Sequence, residues 1–158
     1  MSSALLTLLE QAETERDVAL ARMLAADETA RQARTQAEQL HAYREDYRRR
    51  APAQGGRSAN IELMRCHHGF VQRLDQAIEQ QRALLARLEH QAAQQRATLL
   101  EREVRVASVK KLMQRRAQES QRGAARSEQR RSDEAAMRTT FGRQAAGHDS
   151  GLGAFTRH

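Results

Sequence analysis

From Leu5 a 4-3 spacing runs for more than forty residues: Leu5, Leu9, Ala12, Arg16, Ala19, Met23, Ala26, Ala30, Ala33, Ala37, Leu40, Arg44 and Tyr47. Eleven of these thirteen positions are apolar or aromatic. Apolar residues at a and d of a heptad, sustained over this length, predict a helix that buries one narrow stripe against another helix. The stretch APAQGGRSAN at 51–60 then interrupts the pattern. Pro52 lacks an amide hydrogen and Gly55-Gly56 admits positive φ, so the chain is expected to turn here. Ser58 or Asn60 is the expected N-cap of the second helix, with Glu62 in its first turn. A second 4-3 series begins at Met64 and continues through His67, Val71, Leu74, Ile78, Gln81, Leu85, Leu88, Ala92, Gln95, Leu99, Arg102, Val106, Val109 and Met113. Eleven of these fifteen are apolar. Beyond Met113 the same frame lands on Arg116, Ser120, Gly123 and Ser127, so the stripe stops while helix-forming composition continues.

Two stripes joined by one turn predict an all-α fold, an antiparallel two-helix coiled-coil hairpin. Helix 1 is expected over 3–50, the turn over 51–60, helix 2 over 61–138 with an overhang from about 114, and a flexible tail over 139–158, where Gly142, Gly147, Gly151 and Gly153 cluster. Centring the hairpin on Gly55-Gly56 pairs residues whose numbers add to 111: Leu5 with Val106, Ala12 with Leu99, Met23 with Leu88, Ala33 with Ile78, Ala37 with Leu74 and Leu40 with Val71. Small residues then stand opposite large ones, as interdigitated packing requires.

Composition supports a long thin molecule. The 158 residues hold no Trp, two Tyr and three Phe, too few rings for an ordinary globular core. The net charge of +7 comes from 25 Arg, two Lys (Lys110 and Lys111) and 20 acids. Anionic partners of any kind are compatible with it, although most such charges simply solvate the outside of a coiled coil. One Cys and no apolar leader predict neither secretion nor a disulfide framework. No run approaches the ~18 apolar residues of a membrane span, so a membrane is expected to be met only through partners.

Catalytic chemistry is missing. The chain has no Gly-rich phosphate loop, no H-E-x-x-H and no C-x-x-C. Cys66, His67 and His68 are consecutive on a helix and diverge, so they cannot converge on one metal ion. A two-helix hairpin has no interior for a small molecule or a cofactor. The segment EQRRSDEAAMR at 128–138 is polar all round, which a helix sustains only with partners or ion pairs.

Several blocks fall in order along these helices: YREDY at 43–47; Phe70 followed by RLDQAI and Gln80-Gln81; Lys110-Lys111-Leu112 with Arg115-Arg116; and Glu128-Gln129 with Asp133-Glu134-Ala135 and Arg138. Together they resemble the flagellar export family FliJ of the bacterial type III secretion apparatus, over roughly residues 5–138. The resemblance implies a non-enzymatic, stalk-like antiparallel coiled coil. Such a protein inserts the open end of its hairpin into the ring of the flagellar export ATPase, promotes its activity, contacts the cytoplasmic domain of the export gate and handles export chaperones. It would then be cytoplasmic, held peripherally at the inner face of the membrane at the flagellar basal body. By motif position, gate contact falls on Gln36, Leu40, Tyr43, Tyr47, Phe70, Leu74, Ala77 and Gln81. Leu40, Tyr47 and Leu74 are equally explained as stripe residues, whereas Tyr43 lies off the stripe. ATPase contact falls on the overhang, at Arg115, Arg116, Arg122, Arg126, Arg130, Arg131, Asp133, Glu134 and Arg138. Three alternatives compete: the stalk protein of a virulence secretion system, a basic coiled coil that binds nucleic acid, and a plain structural coiled coil. The nucleic-acid reading lacks any acid-free basic region or aromatic platform for stacking.

Overall fold

A computed structural model describes residues 2–50 and 59–148. Helix α1 spans Ser3–Arg49 and helix α2 spans Ala59–His148, and the two pack antiparallel as a hairpin. There is no strand among the described residues. At 1.5 Å per residue α1 is about 70 Å long and α2 about 135 Å. Arg48 and Arg49 lie in the last turn of α1, where a positive charge complements the helix dipole. Of the turn expected at 51–60, residues 51–58, Ser58 among them, lie outside the described residues, and the last two belong to α2. Asn60 is already within α2, which begins at Ala59.

The two stripes form the interface as expected. Every one of the thirteen α1 positions is buried or half-buried, and of the α2 series only Met64 is exposed. The core is a single narrow seam: Leu5, Ala12, Ala19, Ala30 and Ala33 from α1 meet Leu74, Ile78, Ala92, Leu99, Val106 and Val109 from α2.

The expected register is displaced by one heptad. With numbers adding to 111, Val109 would face residue 2, ahead of α1, and Met113 would have no partner; yet Val109 is buried and Met113 half-buried. Met64, which that register covers with Tyr47, is 61% exposed. Pairs along one edge add to 123: Glu13 with Lys110 at 3.4 Å, Asp27 with Arg96 at 2.7 Å, Arg34 with Glu89, and His41 with Arg82 at 3.5 Å. Such pairs place the seam partners at a sum of 118, with Leu5 opposite Met113, Ala26 opposite Ala92 and Ala33 opposite Leu85. In this register Arg16 faces Arg102, a like-charged layer that Asp17 and Glu15 neutralise at 3.0 Å each.

The second difference is length. Residues 139–148, expected as tail, continue α2 without a break. The hydroxyl of Thr139 donates to the Ala136 carbonyl at 2.8 Å, and that of Thr140 donates to the carbonyls of Ala136 at 3.1 Å and Met137 at 2.8 Å. Two isolated glycines, Gly142 and Gly147, cost about 1 kcal/mol each relative to Ala, too little to end so long a helix. Residues 149–158 lie outside the described residues.

Candidate partner-binding surfaces

The heptad places different chemistry on the two edges of the hairpin. The residue after each d position forms the e edge, and the residue before each a position forms the g edge. The e edge carries the four cross-helix pairs whose numbers add to 123, and Arg44 reaches over the seam to Asp75 on the same side. The guanidinium of Arg34 is held above its ordinary pKa, chiefly by its hydrogen bond to Glu89 and then by the charges of Glu89 and Glu38. The g edge near the turn is different: Gln36, Tyr43, Leu84, Ala77 and Phe70 bear no charge at all.

This uncharged edge gathers the residues expected to contact an export gate. Gln36, Tyr43, Phe70 and Ala77 are g residues, and Leu40, Tyr47, Leu74 and Gln81 are the adjoining d residues. Tyr43 and Phe70 meet edge-on across the helices, with ring centroids 6.4 Å apart. Tyr47 lies against Phe70 at 4.6 Å and stacks on His67 at 4.7 Å with an interplanar angle of 11°. The Gln81 amide donates to the Ala33 carbonyl at 3.1 Å and to the Gln36 side-chain oxygen at 3.2 Å. Tyr43 is 52% exposed, and Phe70, Leu40, Tyr47, Ala77 and Gln81 are half-buried. Leu74 is buried in the seam. The eight residues therefore form one continuous strip whose outer part is open and whose inner part is core.

Sequence alone does not reveal His67 as a member of this group. Its place in the 4-3 series predicts only a seam position. Its stacking follows from the sum-118 register, in which Tyr47 lies opposite Val71, one helical turn from His67. The e-edge pairing is readable, because Glu13, Asp27, Arg34 and His41 recur at multiples of seven, as do Arg82, Glu89, Arg96 and Lys110.

The second surface is the overhang. Ala117 is the last half-covered residue of α2, and every side chain over 118–147 is exposed. That leaves roughly 45 Å of exposed helix beyond the open end of the hairpin. Arg115, Arg116, Arg122, Arg126, Arg130, Arg131, Asp133, Glu134 and Arg138 all stand exposed. Among the described residues their one ion pair is Glu134 with Arg138, at 3.8 Å, and Asp133 accepts from Gln129 at 3.0 Å. Met137 and Phe141, 64% and 68% exposed, interrupt the polar surface one turn apart. No group of His, Cys, Asp or Glu among the described residues is arranged to hold a metal. None of the described helices is long and apolar enough to cross a membrane.

A family model described as "Flagellar FliJ protein" matches residues 1–145 of the 158. No curated protein and no solved structure matches the chain.

Proposed function

The chain belongs to the FliJ family of flagellar proteins, an export-related family, and from that premise we propose that it is a non-enzymatic, stalk-like cofactor of the flagellar export ATPase. The observation that carries this reading is the overhang: a long, mixed-charge helix with no covered face over 118–147, projecting beyond a two-helix shaft. A helix exposed on all sides gains nothing from its own fold. It suits insertion into a ring, where Arg side chains pair bidentately with carboxylates of the wall while an apolar stripe would promote aggregation. The ATPase-binding residues are then Arg115, Arg116, Arg122, Arg126, Arg130, Arg131, Asp133, Glu134 and Arg138. At the other end, the uncharged strip around Tyr43 and Phe70 contacts the cytoplasmic domain of the export gate. Rings on an otherwise ring-poor surface are favoured interface anchors. Export chaperones are further partners, and the protein reaches the membrane through the gate.

The test is ATP hydrolysis by the export ATPase, measured with full-length protein and with a chain stopped after Gln118. The full-length chain is expected to stimulate hydrolysis and the shortened one to lose that stimulation. Equal stimulation by both would rule out the overhang as the activating element.

A further inference from the structure

The seam itself does not choose the register. In the observed pairing, nine of the thirteen α1 layers are wholly apolar: Leu5–Met113, Leu9–Val109, Ala12–Val106, Ala19–Leu99, Ala26–Ala92, Ala30–Leu88, Ala33–Leu85, Leu40–Ile78 and Tyr47–Val71. Slide α1 one heptad toward the start of α2 and nine layers are again wholly apolar, with Met23–Leu88, Ala33–Ile78, Ala37–Leu74 and Tyr47–Met64 among them. The slid pairing also removes the Arg16–Arg102 layer. Packing and hydrophobic burial are therefore nearly degenerate between the two.

Charge is not degenerate. The observed register sets Glu13 on Lys110, Asp27 on Arg96 and Arg34 on Glu89. The slid register would set Glu13 on Glu103, Asp27 on Glu89 and Arg34 on Arg82, three like-charged contacts in place of three attractive ones. Edge charges that reward one pairing and penalise its neighbour are how coiled coils specify register. The turn end of α2 carries the mark of an unused alternative. Met64 stands in the stripe yet is 61% exposed, with Ile61 and Leu63 exposed beside it.

We propose that the hairpin is a two-register device, with one apolar seam that accepts two pairings a heptad apart and an e-edge charge ladder that holds the observed one. Releasing the ladder slides α1 about 10 Å along α2. The slide covers Met64 with Tyr47, uncovers Val109 and Met113, and lengthens the free overhang by one heptad. It also breaks the stack of Tyr47 on His67 and Phe70, so the surfaces at the two ends change together. The device is independent of which partners bind those ends.

The experiment uses the full-length chain with Cys66→Ser and two reporter pairs. Ala33→Cys with Leu85→Cys reports the observed register, and Ala33→Cys with Ile78→Cys reports the slid one. With native charges, disulfide formation within one chain is expected to be at least about tenfold faster for the first pair. The triple reversal Glu13→Lys, Asp27→Lys and Arg34→Glu makes the slid register attractive and the observed one repulsive, and it should invert that preference. Adding Lys110→Glu, Arg96→Glu and Glu89→Arg restores the ladder with exchanged signs, and Glu103→Lys with Arg82→Glu makes the slid contacts of positions 13 and 34 like-charged again; this eightfold variant should return the preference to the first pair. The proposal fails if the triple variant still favours the first pair, if it loses its helical circular dichroism, or if the eightfold variant does not revert.

Discussion

Tyr43 and Tyr47 sit one turn apart on α1, yet the heptad gives them different surroundings. Tyr47 is a d residue, half-buried between the rings of His67 and Phe70. Tyr43 is a g residue, 52% exposed, with one edge-on contact to Phe70. Truncating Tyr47 removes buried ring area and two aromatic contacts, so Tyr47→Ala is expected to cost about 2–3 kcal/mol of stability. Tyr43→Ala gives up one exposed ring contact and should cost under about 1 kcal/mol. Denaturant melts of the two variants separate these outcomes, and equal losses would make Tyr43 a core residue. Binding to the export-gate cytoplasmic domain should single out the exposed ring: Tyr43→Ala weakens it by about 1–2 kcal/mol or more while the melt barely moves. At this scale the stripe residues are legible from spacing, since every α1 member is covered. The partners of a ring are not, because they depend on register, which spacing leaves open modulo seven.

The two helices show what the pattern does and does not encode. Periodicity locates both helices, and the apolar stripe of each faces the other. Opposing small to large residues is a poor guide to register, because an Ala-rich α1 accepts the Leu, Ile and Val of α2 at either setting. Edge charges carry the missing information, and they act between residues on different helices, where a stripe-by-stripe reading does not look. The length of α2 exceeds the expectation for a different reason: only two glycines, Gly142 and Gly147, fall within 139–148, and isolated glycines cost a helix too little to end it. Ala92 gives the packing prediction at this scale. It is 0% exposed and faces Ala26, so the helices approach closely with no room for a longer side chain. Ala92→Leu should cost about 1–3 kcal/mol by overpacking. Ala93→Leu, at an exposed neighbouring position, should be nearly neutral in the same thermal melt. Similar losses at both positions would mean that the seam does not run through Ala92.

The whole molecule is a shaft with one free helix, and its stability and its proposed activity are carried by different residues. No side chain over 118–147 is covered, so ending the chain after Gln118 removes no buried area. The shortened protein is expected to melt within a few degrees of the full chain, since the seam from Leu5 to Met113 is untouched. A large fall in the melting temperature would show that the overhang folds back or pairs with another chain. The proposed contact of that overhang is made by its Arg side chains. Arg130 and Arg131 are exposed and have no ion-pair partner among the described residues. Reversing both, Arg130→Glu with Arg131→Glu, should leave the melt unchanged and weaken stimulation of the export ATPase severalfold at ~0.1 M salt, where the Debye length is about 10 Å. Raising salt should reduce stimulation by the native chain and leave the reversed variant less affected, because screening has fewer attractive contacts to remove. If native stimulation is indifferent to salt, charge pairing is not what the overhang contributes, and the exposed pair Met137 and Phe141 becomes the next contact to remove.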